Sequence, residues 1–150
     1  MMNESVVVFI DLDNFKEISK SQGWNEFSPN IITGTLTALI ENLVRKHFGS
    51  IIFGLDAARG TEECLMMFSA PDFDLLFDDL EKLRLEVKNL SEKIKSTISV
   101  SIGIARGKVL DVKPSTSRKS KHLYTDPIRN LAKKALNEAK KMGGDRIIIK

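Results

Sequence analysis

The chain has 150 residues, 42% of them hydrophobic and 29% charged, which is enough apolar content to bury one core, and no second domain is expected. Its longest apolar runs, such as Val6 to Ile10, fall far short of the roughly 20 residues of a membrane span, and no basic region leads into an apolar signal segment, so a soluble, cytoplasmic protein without a membrane partner is expected. One cysteine, Cys64, excludes an internal disulfide and a multi-cysteine zinc site, and the net charge of +3 conceals a cluster at Arg106 to Lys121, where six basic residues face the single acid Asp111 and would attract phosphate.

Ser5 to Leu12 is β-branched and apolar, which suits a buried strand, and it stops at the charged sequence Asp11-Leu12-Asp13. After a polar stretch containing Gly23 and Trp24, Ser28 and Pro29 read as the cap and first position of a helix. Leu36, Leu39, Ile40, Leu43 and Val44 give it an apolar stripe, and Gly49 ends it. Ile51 to Phe53 and Cys64 to Phe68 form a hairpin whose tip carries Asp56, Arg59, Glu62 and Glu63. Leu76, Leu80, Leu83, Val87 and Leu90 mark a second helix, and the acids Asp72, Asp74, Asp78 and Asp79 near its start favour the helix dipole. Thr97 to Ala105 is a strand bearing Gly103, and Lys108 to Tyr124 is a polar loop. A third helix follows Thr125 or Asp126 and Pro127 until Gly143-Gly144, and Arg146 to Ile149 is a last strand. This is an α+β order, a βαββαβ core with an added C-terminal αβ, and it predicts a ferredoxin-like palm: a central sheet containing antiparallel strands, flanked by helices that cover one face.

Strand alternation places Val7, Phe9, Asp11 and Asp13 on one side, so two carboxylates project together where the first strand leaves the core. Such a pair suits a hard cation. Magnesium keeps several waters and shares substrate phosphates, so two or three protein oxygens suffice, and the hairpin tip at Asp56 to Glu63 is placed to bring another. With a metal there, in-line attack of a hydroxyl on an α-phosphate is the chemistry to expect. Among the remaining residues, Trp24 and Phe27 are expected to pack on the first helix, Met66 and Met67 to fill the core, and His47 and His122 to sit at surfaces or helix ends.

Four segments resemble the GGDEF family of nucleotidyl cyclases. Phe9-Ile10-Asp11-Leu12-Asp13-Asn14-Phe15-Lys16 is similar to that family's first motif, with Gly23 at the spacing of a later glycine. Ser99-Val100-Ser101-Ile102-Gly103-Ile104-Ala105 is similar to its V-S-I-G-I-A strand, and Ala132, Ala135, Leu136, Ala139 and Lys140 fit its last helix, with Lys133 and Asn137 replacing an Asp and a Tyr. Gly60-Thr61-Glu62-Glu63-Cys64 stands where G-G-D/E-E-F is expected, without the second glycine and the aromatic. The chain also resembles the minimal CRISPR-associated polymerases and the archaeal type III GTP cyclohydrolase.

The resemblance implies a palm-type enzyme that uses Mg2+ or Mn2+ and a nucleoside triphosphate, GTP or ATP, to form a phosphodiester and release pyrophosphate. Asp11, the Leu12 carbonyl and Glu62 would hold metal, with Asp56 a rival to Glu62, and Glu63 would be the acid beside the attacking hydroxyl. Backbone N–H groups around Asn14 and Phe15 would cradle phosphates, and Lys16 and Lys140 would add positive charge. Ser19 and Ser28 stand where an Asn and an Asp read guanine, and Gly144 stands where an Arg clamps the triphosphate, a role left to Arg146 or the basic loop. A homodimer is implied if two substrates must face each other, and nucleic acid is not required. Two other readings follow from the departures: a nucleotide or cyclic-dinucleotide sensor without turnover, and ring-opening hydrolysis of GTP.

Overall fold

The first strand carries apolar side chains on both faces, and the architecture follows from that. In the computed structural model, which describes residues 4–108 and 126–150, β1 (Ser5–Asp13) is the middle strand of a five-stranded sheet. The other elements are α1 (Phe15–Gln22), α2 (Ile31–His47), β2 (Ser50–Phe53), β3 (Glu63–Ser69), α3 (Phe73–Lys93), β4 (Ser99–Gly107), α4 (Pro127–Lys141) and β5 (Arg146–Ile149). The strand order is β2-β3-β1-β4-β5. β1 pairs antiparallel with β3 and β4, and only the edge pair β4–β5 is parallel.

Val6, Val8, Ile10 and Leu12 face one core with Ile32, Leu36 and Ile40 of α2 and Leu76, Leu80, Leu83 and Val87 of α3. Val7 and Phe9 face the other with Leu65, Ala105 and, from α4, Ile128, Ala132 and Leu136. The palm architecture is as expected, but helices cover both faces, because α4 takes the second. A strand apolar at consecutive positions needs a cover on each side. Among the described residues no helix is long and apolar enough to cross a membrane.

Three local expectations change. α1 lies in the stretch read as irregular. α2 is capped by Asn30, not Ser28: its side chain accepts from the Ile32 and Thr33 N–H groups at 2.9 Å, and Thr33 Oγ1 accepts from the Asn30 N–H at 3.0 Å, a reciprocal cap that fixes where the helix starts. His47 ends α2 as expected but is buried there, its Nε2 2.7 Å from Asp79 Oδ2, and Asp79 also pairs with Lys46, so this acid ties α3 to α2 besides meeting the helix dipole. Trp24 meets Phe15 of α1 and packs against the core that α2 lines, but Phe27 is 67% exposed beneath the Arg59 guanidinium. The basic loop and His122 fall mostly or wholly outside the described residues.

One close approach positions the site. A Cβ at Gly103 would lie 2.3 Å from Ala132 O and Leu136 N, so only glycine lets α4 lie this close to β4. The helix therefore crosses the sheet with its last turn, carrying Lys140, over the end of β1.

Candidate cation and nucleotide site

The two β1 carboxylates, on one face as alternation requires, have different surroundings. Asp13 is 7% exposed and fully engaged. It accepts hydrogen bonds from Ser99 Oγ (2.7 Å), Ser101 Oγ (2.7 Å), the Asp145 N–H (2.9 Å) and Lys140 Nζ (3.0 Å). Burial works to raise its carboxyl, but these four donors together hold it below the usual carboxylate range. Asp13 is thus the hub that joins β1, β4, α4 and the turn before β5.

Asp11 is the more open of the two, its side chain 31% exposed against 8% for Asp13. Burial, with lesser contributions from Glu63 and Asp13 and against the pull of Lys140, pushes its carboxyl up to about 6. Its Oδ2 lies 3.2 Å from Lys140 Nζ, which also donates to Leu12 O at 3.1 Å. Lys140 is held in its charged form: burial opposes this, and Asp13 and Asp11 outweigh it. Two carboxylates and a main-chain carbonyl therefore converge on one cation.

Register places one hairpin acid beside Asp11. Asp11 sits directly opposite Glu63 in the β1–β3 pair, and opposed residues share a face with Cβ atoms about 5 Å apart. Glu62 precedes the strand, is exposed, and gives its carbonyl oxygen to the Leu12 N–H at 3.0 Å. Asp56 is occupied elsewhere, its Oδ1 accepting from the Ala58 (3.1 Å) and Arg59 (2.9 Å) N–H groups, which makes it the cap of its own turn.

A buried polar knot fixes that turn. The Thr61 N–H donates to Thr33 O at 3.2 Å, Thr61 and Thr37 hydroxyls meet at 2.6 Å, and the Asp56 N–H reaches Thr61 Oγ1 at 3.2 Å. Gly60 has φ +90 and lies so close to Thr33 that a Cβ would overlap its hydroxyl. Thr61, standing where the family pattern has its second glycine, ties the hairpin loop to α2 and thereby sets the height of Glu62 and Glu63.

Beyond the carboxylates, Asn14 turns β1 into α1 with φ 61, and its Nδ2 donates to Thr97 O at 3.1 Å. No side chain among the described residues caps α1, so its first N–H groups, beginning at Phe15, have no capping side chain where the helix leaves the end of β1. Lys16 is exposed in that turn, Ser19 is half-buried further along α1, and Ser28 is exposed in the connection to α2. Among the described residues Arg146 pairs with neither carboxylate; its Nε donates to Gly144 O at 3.0 Å.

The turn Gly143-Gly144-Asp145 closes the floor. Asp145 is gripped from α3 by Arg84 (2.6 Å) and Lys88 (2.7 Å), which aims its N–H at Asp13. Gly144 has φ +77, and a Cβ there would lie 2.7 Å from Asp13 Cγ and Oδ2. The position leaves no room for an arginine. Gly144→Ala is expected to cost about 3 kcal/mol, from left-handed strain plus collision with a buried carboxylate. Gly143→Ala, at φ +105 but with only the Arg146 guanidinium near it, at 3.8 Å, should cost visibly less when both variants are unfolded in urea; equal losses would mean that Asp13 is not the obstacle.

Ser99, Ser101, Asp145 and the steric role of Gly144 were not found from the sequence. The serines left a signal: two hydroxyls at alternate positions of a buried strand, matching two carboxylates at alternate positions of its partner. Asp145 contributes a backbone N–H, for which the sequence carries no mark.

No protein-family model and no curated protein matches this chain. Solved structures do match its fold. The GGDEF domain of DgcB from Caulobacter crescentus, solved in complex with c-di-GMP, aligns with a TM-score of 0.63 at 22% identity over 98% of this chain and 78% of that one. The FimX GGDEF domain from Pseudomonas aeruginosa aligns at 0.60 with 16% identity over 99% and 81%. The guanylyl cyclase Cya2 aligns at 0.59 with 19% identity over 90% and 70%. The chain has the palm fold that GGDEF domains share with guanylyl cyclase cores.

Proposed function

We propose that this chain is a divalent-cation-dependent enzyme that acts on nucleoside triphosphates, joining nucleotides through a phosphodiester with release of pyrophosphate. The observation that carries this reading is the convergence of Asp11, Asp13 and the Leu12 carbonyl on one cation, beside a helix N-terminus that no side chain caps.

The donor set fits a magnesium or manganese ion. Among the described residues no cluster of three or more His, Cys, Asp or Glu is gathered, but magnesium usually takes one or two carboxylates and completes its shell with water and phosphate. Asp11, Leu12 O and Glu63 would hold it, with Asp13 fixed behind them by Ser99, Ser101 and Asp145. Bound there, the ion would neutralise phosphate charge and favour in-line attack on the α-phosphorus. The chain's own part is to bind and orient: the first-turn N–H groups of α1 receive phosphate oxygens, Lys16 adds charge at their rim, and a hairpin carboxylate, Glu63 or the exposed Glu62, takes the proton from the attacking hydroxyl. Ser19 and Ser28 offer single hydroxyls in place of an amide and a carboxylate, which weakens selection for guanine, so both GTP and ATP are candidate substrates. Two copies would bring two triphosphates face to face.

A sensor without turnover is the second reading, favoured by Gly144, which leaves no room for an arginine at that position. Incubating the protein with each of the four triphosphates and Mg2+ or Mn2+, and separating the products by chromatography, distinguishes the readings. The expected result is pyrophosphate with a cyclic or linear oligonucleotide, lost in Asp11→Asn. Binding without turnover, with Asp11→Ala changing affinity alone, would establish the sensor; a formamidopyrimidine product would establish ring-opening hydrolysis instead.

A further inference from the structure

We infer that Lys140 is a tethered cation that competes with the divalent ion for the same oxygens, so that the metal enters only by displacing this ammonium. The inference rests on the reading of Asp11 as a cation ligand and concerns how that site is kept when no metal is bound to it.

The geometry is that of a cation in a cage. An ammonium has three N–H donors, and those of Lys140 are matched by three oxygens: Asp13 Oδ1 at 3.0 Å, Leu12 O at 3.1 Å and Asp11 Oδ2 at 3.2 Å. Two of these, Leu12 O and Asp11, belong to the proposed ligand set. A magnesium ion would sit about 2.1 Å from each, inside the space where the ammonium makes its own contacts, and like charges at that separation repel strongly. The two cations exclude each other.

The surroundings permit the exchange. When Lys140 leaves, Asp13 keeps Ser99, Ser101 and the Asp145 N–H, so no buried carboxylate is orphaned. The backbone of α4 is held against β4 at Gly103, which confines the movement to the side chain. That side chain is 33% exposed and lies in the last turn of the helix, on a four-carbon stem that can swing toward solvent. Once released, the ammonium stays at the rim, where a polyanion arriving with the metal would meet it. Metal and triphosphate should therefore bind cooperatively: each relieves a cost that the other would bear alone.

The test is Mn2+ titration of the full chain without nucleotide, following free Mn2+ by electron paramagnetic resonance, for the wild type, Lys140→Met, Lys140→Gln and Asp11→Asn. Both Lys140 variants should bind Mn2+ about tenfold more tightly than wild type, and adding a triphosphate should improve their affinity less; Asp11→Asn should not bind. If Asp11→Asn abolishes binding while neither Lys140 variant binds more tightly than wild type, the tethered cation is overturned and the metal site stands. If Asp11→Asn binds like wild type, the cation reading of Asp11 fails, and this inference with it. A measurement on the wild type does not depend on the variants folding: acylation of Lys140 by acetic anhydride, read by mass spectrometry, should accelerate several-fold when Mg2+ is added, and an unchanged rate overturns the proposal.

Discussion

Asp11→Asn is expected to make the metal-free protein more stable at neutral pH while removing its divalent-cation site. Burial is the main cause that pushes the folded Asp11 carboxyl to about 6, whereas the unfolded one titrates near 4. Between those values the folded state binds more protons than the unfolded one, so stability falls as pH rises through the window and the loss is complete above it. Two pH units correspond to about 3 kcal/mol, and because the side chain is 31% exposed solvent screening reduces this to about 1–2 kcal/mol. Asparagine keeps the shape and removes the charge. Urea unfolding in EDTA should show the variant gaining about 1–2 kcal/mol at pH 7.5 and little at pH 4. A variant less stable than wild type at pH 7.5 would mean that the Lys140 contact outweighs the burial cost. The stability lost to an ionised Asp11 would then be recovered when a divalent cation binds, as linkage requires.

Asp13→Ala should have the opposite and larger effect, a loss of about 4 kcal/mol. The substitution strands two serine hydroxyls and the Asp145 N–H in a buried layer and takes one carboxylate from Lys140. Unsatisfied buried donors cost about 1–3 kcal/mol each, and breaking a buried charge pair about 3–5. Because the folded Asp13 carboxyl is held below its unfolded value, its contribution is present above the unfolded pKa and is lost as the pH falls toward the folded one. Urea midpoints at pH 7.5 measure the loss; less than about 1 kcal/mol would show that the four hydrogen bonds do not carry the floor of the site. The two aspartates of one D-x-D sequence thus differ, Asp13 tied into the structure by four hydrogen bonds and Asp11 half-buried with its carboxyl raised by burial.

That division was not legible in the sequence, where both aspartates simply end an apolar strand on the same face. What separates them is that the serines opposite them on β4, Ser99 opposite Asp13 and Ser101 opposite Asp11, both donate to Asp13, as does the backbone N–H of Asp145, far along the chain. The three long helices were legible because each carries an apolar stripe at helical spacing, and the strands because each is a short apolar run. α1 was not: it has 8 residues, none of them fully buried, and an N-terminus that no side chain caps. The start of α2 was misplaced because Ser28-Pro29 offers a cap signal two residues before the reciprocal Asn30–Thr33 pair. The hairpin posed the same difficulty in another form. The sequence leaves Glu62 and Asp56 as rival ligands with Glu63 beside the attacking hydroxyl, and it carries neither the pairing of Asp11 with Glu63 nor the capping role of Asp56.

The central claim is that the end of β1 is a cation site for nucleotide chemistry. Anomalous scattering from crystals grown with Mn2+ and a non-hydrolysable triphosphate tests it most directly. A manganese peak is expected about 2.1 Å from Asp11 and the Leu12 carbonyl oxygen, with Glu63 turned toward it and Lys140 moved off Leu12. A peak at Asp56, or clear density for the triphosphate with no manganese at Asp11, would contradict it.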